Sequence, residues 1–214
     1  MKKIQAIVFD VDGTLIDTFE HIVRAFEVVL PEYGAIADRR AIAAVIGQTL
    51  HQCYESLHPN GDHKAMAERH HEVQQTPEMY ELINVYDGLK EVLSDLDARG
   101  IARAVLTNRS RDSIDLIFNH LGIQDEFEVI VTPQDVRKPK PDPQGLLLVA
   151  ERLGVDVSNI AIVGDTSIDI ETGKRAGVAT TIGVTHGFGT QESIQNAGAD
   201  IIINSFDEFL SAIG

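Results

Sequence analysis

The sequence predicts an α/β fold: a doubly wound, mostly parallel sheet, interrupted after its first strand by a small all-helical insert. Three observations carry this. From about residue 88 onward, short apolar runs rich in Val and Ile alternate with amphipathic segments, the order expected of parallel β-α units. Between residues 16 and 82, helical spacing runs on with no strand-like break. Polar residues recur at the ends of the apolar runs, the edge at which open α/β sheets bind ligands.

Taken in order, Ile4 to Phe9 is a short buried strand that ends at Asp10. Phe19, Ile22, Val23, Phe26 and Val29/Leu30 then recur at helical spacing. Asp38 is expected to cap a helix that stops at Gly47. The stretches from His63 and Pro77 continue in helical or irregular form. Asp87 is the expected cap of a helix closed by Gly100. Strands follow at 102–108, 128–132, 159–165, 179–185 and 199–205, with helices at 111–122, 143–154, 168–177 and 206–213. Pro143 sits in a first helical turn, where its missing N–H costs nothing. The expected division is an α/β core of residues 1–15 and 83–214, with a helical cap of residues 16–82. A long excursion at that point suits a lid or a partner-binding module.

Composition narrows the class. The 214 residues are 43% hydrophobic and 24% charged, with a net charge of −15. That acidity disfavours nucleic acid as a partner. No apolar run is long enough to span a bilayer, so no membrane partner is expected. The opening "MKKIQAIVFD" reaches Asp10 too soon for a secretory signal. Cys53 is the single cysteine, which rules out an internal disulfide. A cytoplasmic protein, monomeric or homodimeric, is the expectation.

The strand-end residues carry the chemistry. Asp10 and Asp12, two apart on an extended segment, point to the same side, and Gly13 lets the chain turn after them. Paired carboxylates repel, and a divalent cation relieves the repulsion. The all-oxygen donor set Asp10, Asp12, Asp165 and Asp169 suits a hard ion such as Mg²⁺. Asp165 and Asp169 are four apart and share a helix face. Thr107, Asn108 and Lys138, the last in "RKPKPDP", offer donors to an anion. Such a site suits a phosphate, and aspartate can serve as a nucleophile. Arg109, directly after "TN", either binds the substrate's phosphate or pairs with a surface acid.

These residues resemble a known set. "DVDGTLIDT", "TN" after an apolar strand, "KPKPDP" and "GDTSID" are similar, in order, to the four motifs of the haloacid dehalogenase superfamily. Within it the chain looks closest to the phosphoglycolate phosphatase-like and pyrophosphatase-like branch. The resemblance implies a Rossmann-like core and a Mg²⁺-dependent phosphatase for a small phosphorylated metabolite. Asp10 would attack phosphorus. Asp12 would protonate the leaving group and later activate water, while its carbonyl binds the metal. Thr107 and the Asn108 backbone would hold the phosphoryl group, and Lys138 would pair with nucleophile and phosphate. Asp165 would be a metal ligand, and Asp169 a ligand or a holder of metal-bound water. Metal-free dehalogenases lack the second acid, so Asp12 argues against dehalogenation.

The resemblance extends to the cap. Val45 to Gln52 looks like a loop that reaches over the active site, and Gly47 is placed at the substrate by that likeness. In β-phosphoglucomutases an arginine here grips a second phosphate. Gly47-Gln48-Thr49-Leu50 has no basic side chain, which lowers the case for a phosphosugar mutase. By position, Tyr54 and His51 are assigned to the substrate cleft. The six histidines of the insert (His21, His51, His58, His63, His70 and His71) are expected in solvated or packing roles. Gly183–Gly189 is either a flap or a plain turn. Two readings from another class are weighed: a phospho-aspartate signalling domain and a binder of phosphorylated ligands. A receiver would lack the helical insert and carry its phosphoacceptor on a later strand.

Overall fold

A computed structural model describes residues 3–213. The chain divides into two compact units. One runs up to Asp17 and from Val85 onward, and the other is Thr18–Asn84. The chain crosses between them through the short strands β2 (Ile16–Asp17) and β3 (Asn84–Val85), after a first strand β1 (Ala6–Phe9).

In the larger unit, β1 is followed by α6 (Leu89–Ala98), β4 (Ala102–Leu106), α7 (Arg111–Leu121), β5 (Val129–Val131), α8 (Gln144–Leu153), β6 (Ile160–Gly164), α9 (Ser167–Ala176), β7 (Thr180–Val184), α10 (Gln191–Asn196), β8 (Ile201–Ile203) and α11 (Phe209–Ile213). The sheet order is β5-β4-β1-β6-β7-β8. Strand β1 pairs in parallel with both β4 and β6, and the outer pairs β4–β5, β6–β7 and β7–β8 are also parallel. The chain therefore winds outward from β1 in both directions, and the order reverses beside it. Every residue of β1 is buried, as a strand covered on both faces must be. That is why "AIVF" reads as an unbroken apolar run rather than an alternating one. Phe9 packs edge-on to Phe127 and against Phe209, while Val8, Leu106, Leu146, Val149 and Ile162 form a cluster that seats α8 on the sheet. Register aligns Phe9 with Val105 and with Val163, so three strands end level.

The smaller unit contains α1 (Phe19–Glu32), α2 (Arg39–Ala43), α3 (Leu50–Leu57), α4 (His63–Gln74) and α5 (Pro77–Tyr80). Its centre is aromatic. The Phe26 ring lies 4.9 Å from Tyr54 and 4.6 Å from His70, and the Tyr54 hydroxyl bonds His70 Nδ1 at 2.8 Å. Tyr54 is fully buried in this cluster, so the expectation that it lines a cleft is corrected. His21 is buried with Nδ1 on the Met79 carbonyl. These two histidines are packing residues.

Some boundaries differ from expectation. Helix α2 stops at Ala43 rather than Gly47. A separate helix, α3, then begins at Leu50, and the hydroxyl of its N-cap Thr49 forms a reciprocal capping box with Gln52. Asp87 does not cap α6; Gly88, with φ 82°, is its N-cap. Helix α10, capped by Thr190, lies where no element was expected.

Candidate active site

The level ends of β1, β4 and β6 bring Asp10, Thr107 and Asp165 together. Asp10 continues the β1 ladder by one bond, its N–H donating to the Val163 carbonyl at 2.9 Å. The chain then turns sharply. The Val11 carbonyl accepts from Thr14, Leu15 and Ile16, and Gly13 donates back to Ile16. Gly13 has φ 78° and lies so near the Asp165 carboxylate that a Cβ would collide with it. Glycine is required here both for the backbone angle and for the approach.

Asp10, Asp165 and Asp169 are buried and place one oxygen each within 4.8 Å of the others. Among the described residues, one side-chain cation, that of Lys140, is paired with this cluster. Lys140 Nζ lies 2.7 Å from Asp10 Oδ1 and 2.6 Å from Asp169 Oδ1. This corrects the assignment of Lys138. Gln144 Oε1 accepts the backbone N–H groups of Arg137 and Lys138, and Lys138 is exposed. Two residues on, the Asn108 side chain clasps Lys140 from both sides. Its Oδ1 accepts the Lys140 N–H at 3.0 Å, and its Nδ2 donates to the Lys140 carbonyl at 3.1 Å. Asn108, expected to act on the phosphoryl group through its backbone, thus uses its side chain to deliver the lysine.

Asp169 holds its place through two contacts. One oxygen receives Lys140; the other caps α9, accepting from the Thr166 N–H and hydroxyl. Asp165 accepts from the Phe188 N–H at 2.7 Å and from the Thr14 hydroxyl at 3.3 Å. The loop after β7 therefore forms a wall of the site. His186 Nε2 bonds the Thr14 carbonyl at 3.1 Å, and its ring packs tilted against Tyr86, centroids 4.2 Å apart. Burial holds the His186 imidazole below its usual pKa.

Electrostatics mark the cluster as short of positive charge. Burial pushes the Asp10 carboxyl up to about 7, against the pull of Lys140 and with further upward push from Asp169 and Asp12. Burial, then Asp169 and Asp10, raise Asp165 well above the carboxylate range. Burial opposes charge on Lys140, but Asp10 and Asp169 raise its pKa overall. Three buried carboxylates against one lysine fit a divalent cation, whose charge reverses these shifts.

Asp12 lies beside this cluster on the turn, in a different partnership. Arg109 Nε reaches its Oδ1 and Oδ2 at 3.1 and 2.9 Å, and Nη2 reaches Oδ1 at 2.6 Å. The Arg109 N–H also donates to Thr107 Oγ1 at 3.0 Å, which leaves the Thr107 hydroxyl hydrogen as a donor. Gly47, with φ 97°, belongs to the helical unit. Sequence reasoning missed Lys140, Thr14, Phe188 and Ser113. The second lysine of "KPKP" was the available signal for Lys140.

A family described as haloacid dehalogenase-like hydrolase matches residues 7–183. A phosphoglycolate phosphatase of Yersinia pestis is 31% identical over 100% of this chain and 94% of its own length. The pyrophosphatase PpaX of Bacillus velezensis is 29% identical over 100% and 98%. Among solved structures, a Bacteroides fragilis protein described as a haloacid dehalogenase-like hydrolase superposes with a TM-score of 0.89 at 27% identity, covering 97% of this chain and 100% of that one.

Proposed function

From the chain's membership of the haloacid dehalogenase-like hydrolase family, we propose that it is a Mg²⁺-dependent phosphatase that cleaves a small phosphomonoester, or pyrophosphate, through a phosphoryl group carried on Asp10. The observation that carries this reading is the buried set Asp10, Lys140, Asp165 and Asp169, with Thr107 and Asp12 beside it. Both similar relatives bear the names of phosphate-releasing enzymes.

The chemistry runs in two halves. An Asp10 carboxylate oxygen attacks phosphorus, and the bond from phosphorus to the leaving oxygen breaks. Asp12 gives that oxygen its proton. Water then attacks the phosphorus, loses a proton to Asp12, and expels the Asp10 carboxylate as inorganic phosphate forms. Lys140 holds Asp10 for the attack and offsets the charge of the phosphoryl oxygens. Thr107 donates its hydroxyl hydrogen to them. Asp10, Asp165 and the carbonyl of Asp12 would hold the cation, with Asp169 behind them. When bound, the cation neutralises the clustered carboxylates and the phosphoryl charge.

The test is phosphate release from phosphoglycolate, pyrophosphate, sugar phosphates, nucleotides and p-nitrophenyl phosphate, with Mg²⁺ and with EDTA. Turnover that needs Mg²⁺ and concentrates on one compound supports the reading and identifies the substrate. Isomerisation of a sugar phosphate without phosphate release would move the site to a mutase. Absence of both in folded protein contradicts catalysis.

A further inference from the structure

Arg109 is a buried guanidinium on the turn beside the Asp10 cluster, paired with Asp12. Its side chain is 7% exposed and that of Asp12 is 15% exposed. Two of its nitrogens fork onto the Asp12 carboxylate, and the third, Nη1, donates to Ser113 Oγ at 2.9 Å on the first turns of α7. Its backbone N–H holds Thr107. A planar fork on a carboxylate fixes direction as well as charge. A buried pair of this kind is a poor source of net stability, and it fixes one orientation of the Asp12 side chain.

We propose that Arg109 is a positioning residue that holds the Asp12 carboxylate as the proton acceptor of the second half-reaction, in which water displaces Asp10 from phosphorus. The inference rests on the proposed phosphatase reading. It assigns Arg109 to Asp12 rather than to the substrate's phosphate or to a surface acid. In the second half-reaction the carboxylate must already point where water arrives, and the fork supplies that orientation before substrate binds. The first half-reaction needs Asp12 only when the leaving oxygen must be protonated. A phenolate as stable as p-nitrophenolate departs without that help.

The kinetic consequence is specific. With p-nitrophenyl phosphate, slowing only the second half-reaction lowers kcat and KM together and leaves kcat/KM unchanged. Arg109→Ala is expected to lower kcat on the order of 10²-fold, the scale of general-base help, with KM falling in parallel. A burst of one p-nitrophenol per chain should precede the slow steady state. Ser113→Ala, a milder change that loosens one side of the guanidinium, should give a smaller loss with the same pattern. Guanidinium added to Arg109→Ala should restore part of kcat. A fall in kcat/KM with a rise in KM would place Arg109 on the phosphate and overturn the inference. So would an unchanged kcat in both variants. These outcomes require an active wild type; a wild type with no Mg²⁺-dependent phosphate release would instead overturn the functional reading beneath it.

Discussion

At the scale of residues, the site turns on which lysine enters it. Lys138 and Lys140 are the same residue type two apart, and the sequence pattern offers both. The choice depends on Asn108, which binds the Lys140 backbone from across the sheet edge, and on Gln144, which holds the 137–138 backbone outside. Neither contact is periodic, and the Asn108 contact spans 32 residues, so neither shows in the sequence. Lys140→Met should cost on the order of 10²–10³ in kcat, as loss of a charge-stabilising group does. It should also destabilise the fold in EDTA by about 3–5 kcal/mol, because Asp10 and Asp169 are left buried without their cation. Lys138→Met should leave turnover unchanged and stability within about 0.5 kcal/mol. Steady-state kinetics and thermal melts of the two variants check this, and the opposite ranking would restore the first assignment. Spacing singled out Asp10 and Asp12 after the opening strand as a pair; the structure groups Asp10 with Asp165 and Asp169 and pairs Asp12 with Arg109. The partnership of Arg109 with Asp12 was not legible, since 97 residues separate them.

At the scale of elements, the long periodic segments were legible, as was the start of the short α2 through its Asp38 cap, while α3 and α10 were not. Helices α1, α7 and α8 follow from apolar spacing over ten or more residues. Helices α2, α3 and α10 span five, eight and six residues, too few turns for a periodic signal, and only their caps announce them. The loop after β5 shows how such short pieces are held. Asp135 accepts from the Thr132 N–H and hydroxyl and from Arg111 and Arg152, at 2.9 to 3.1 Å. Burial pushes its carboxyl up, yet these donors hold it well below its usual value of 3.8. A depressed folded pKa means the contribution is present above the unfolded pKa and lost as pH falls through the folded one. Asp135→Ala should therefore lower stability at pH 7 by about 1.5–3 kcal/mol. The gap to wild type should narrow below about pH 3.9. Thermal melts across pH check this; a gap that stays constant would show that the carboxylate's charge contributes nothing.

At the scale of the whole molecule, alternating strands and helices were sufficient to predict a mostly parallel sheet. What alternation cannot give is strand order. The order β5-β4-β1-β6-β7-β8 sets β1 where the winding reverses, and in such sheets the crevice beside the reversal is the binding edge. Asp10, Asp12, Thr107, Asn108, Arg109, Lys140, Asp165 and Asp169 all belong to that larger unit. The central claim is that Asp10 carries the phosphoryl group. The most direct test is an acid quench during turnover, with borohydride reduction of any acyl phosphate and peptide mass analysis. Homoserine at position 10, dependent on substrate and absent from Asp10→Asn, is the expected result. An active enzyme that shows no reduction at Asp10, or that keeps its turnover in Asp10→Asn, would contradict the account.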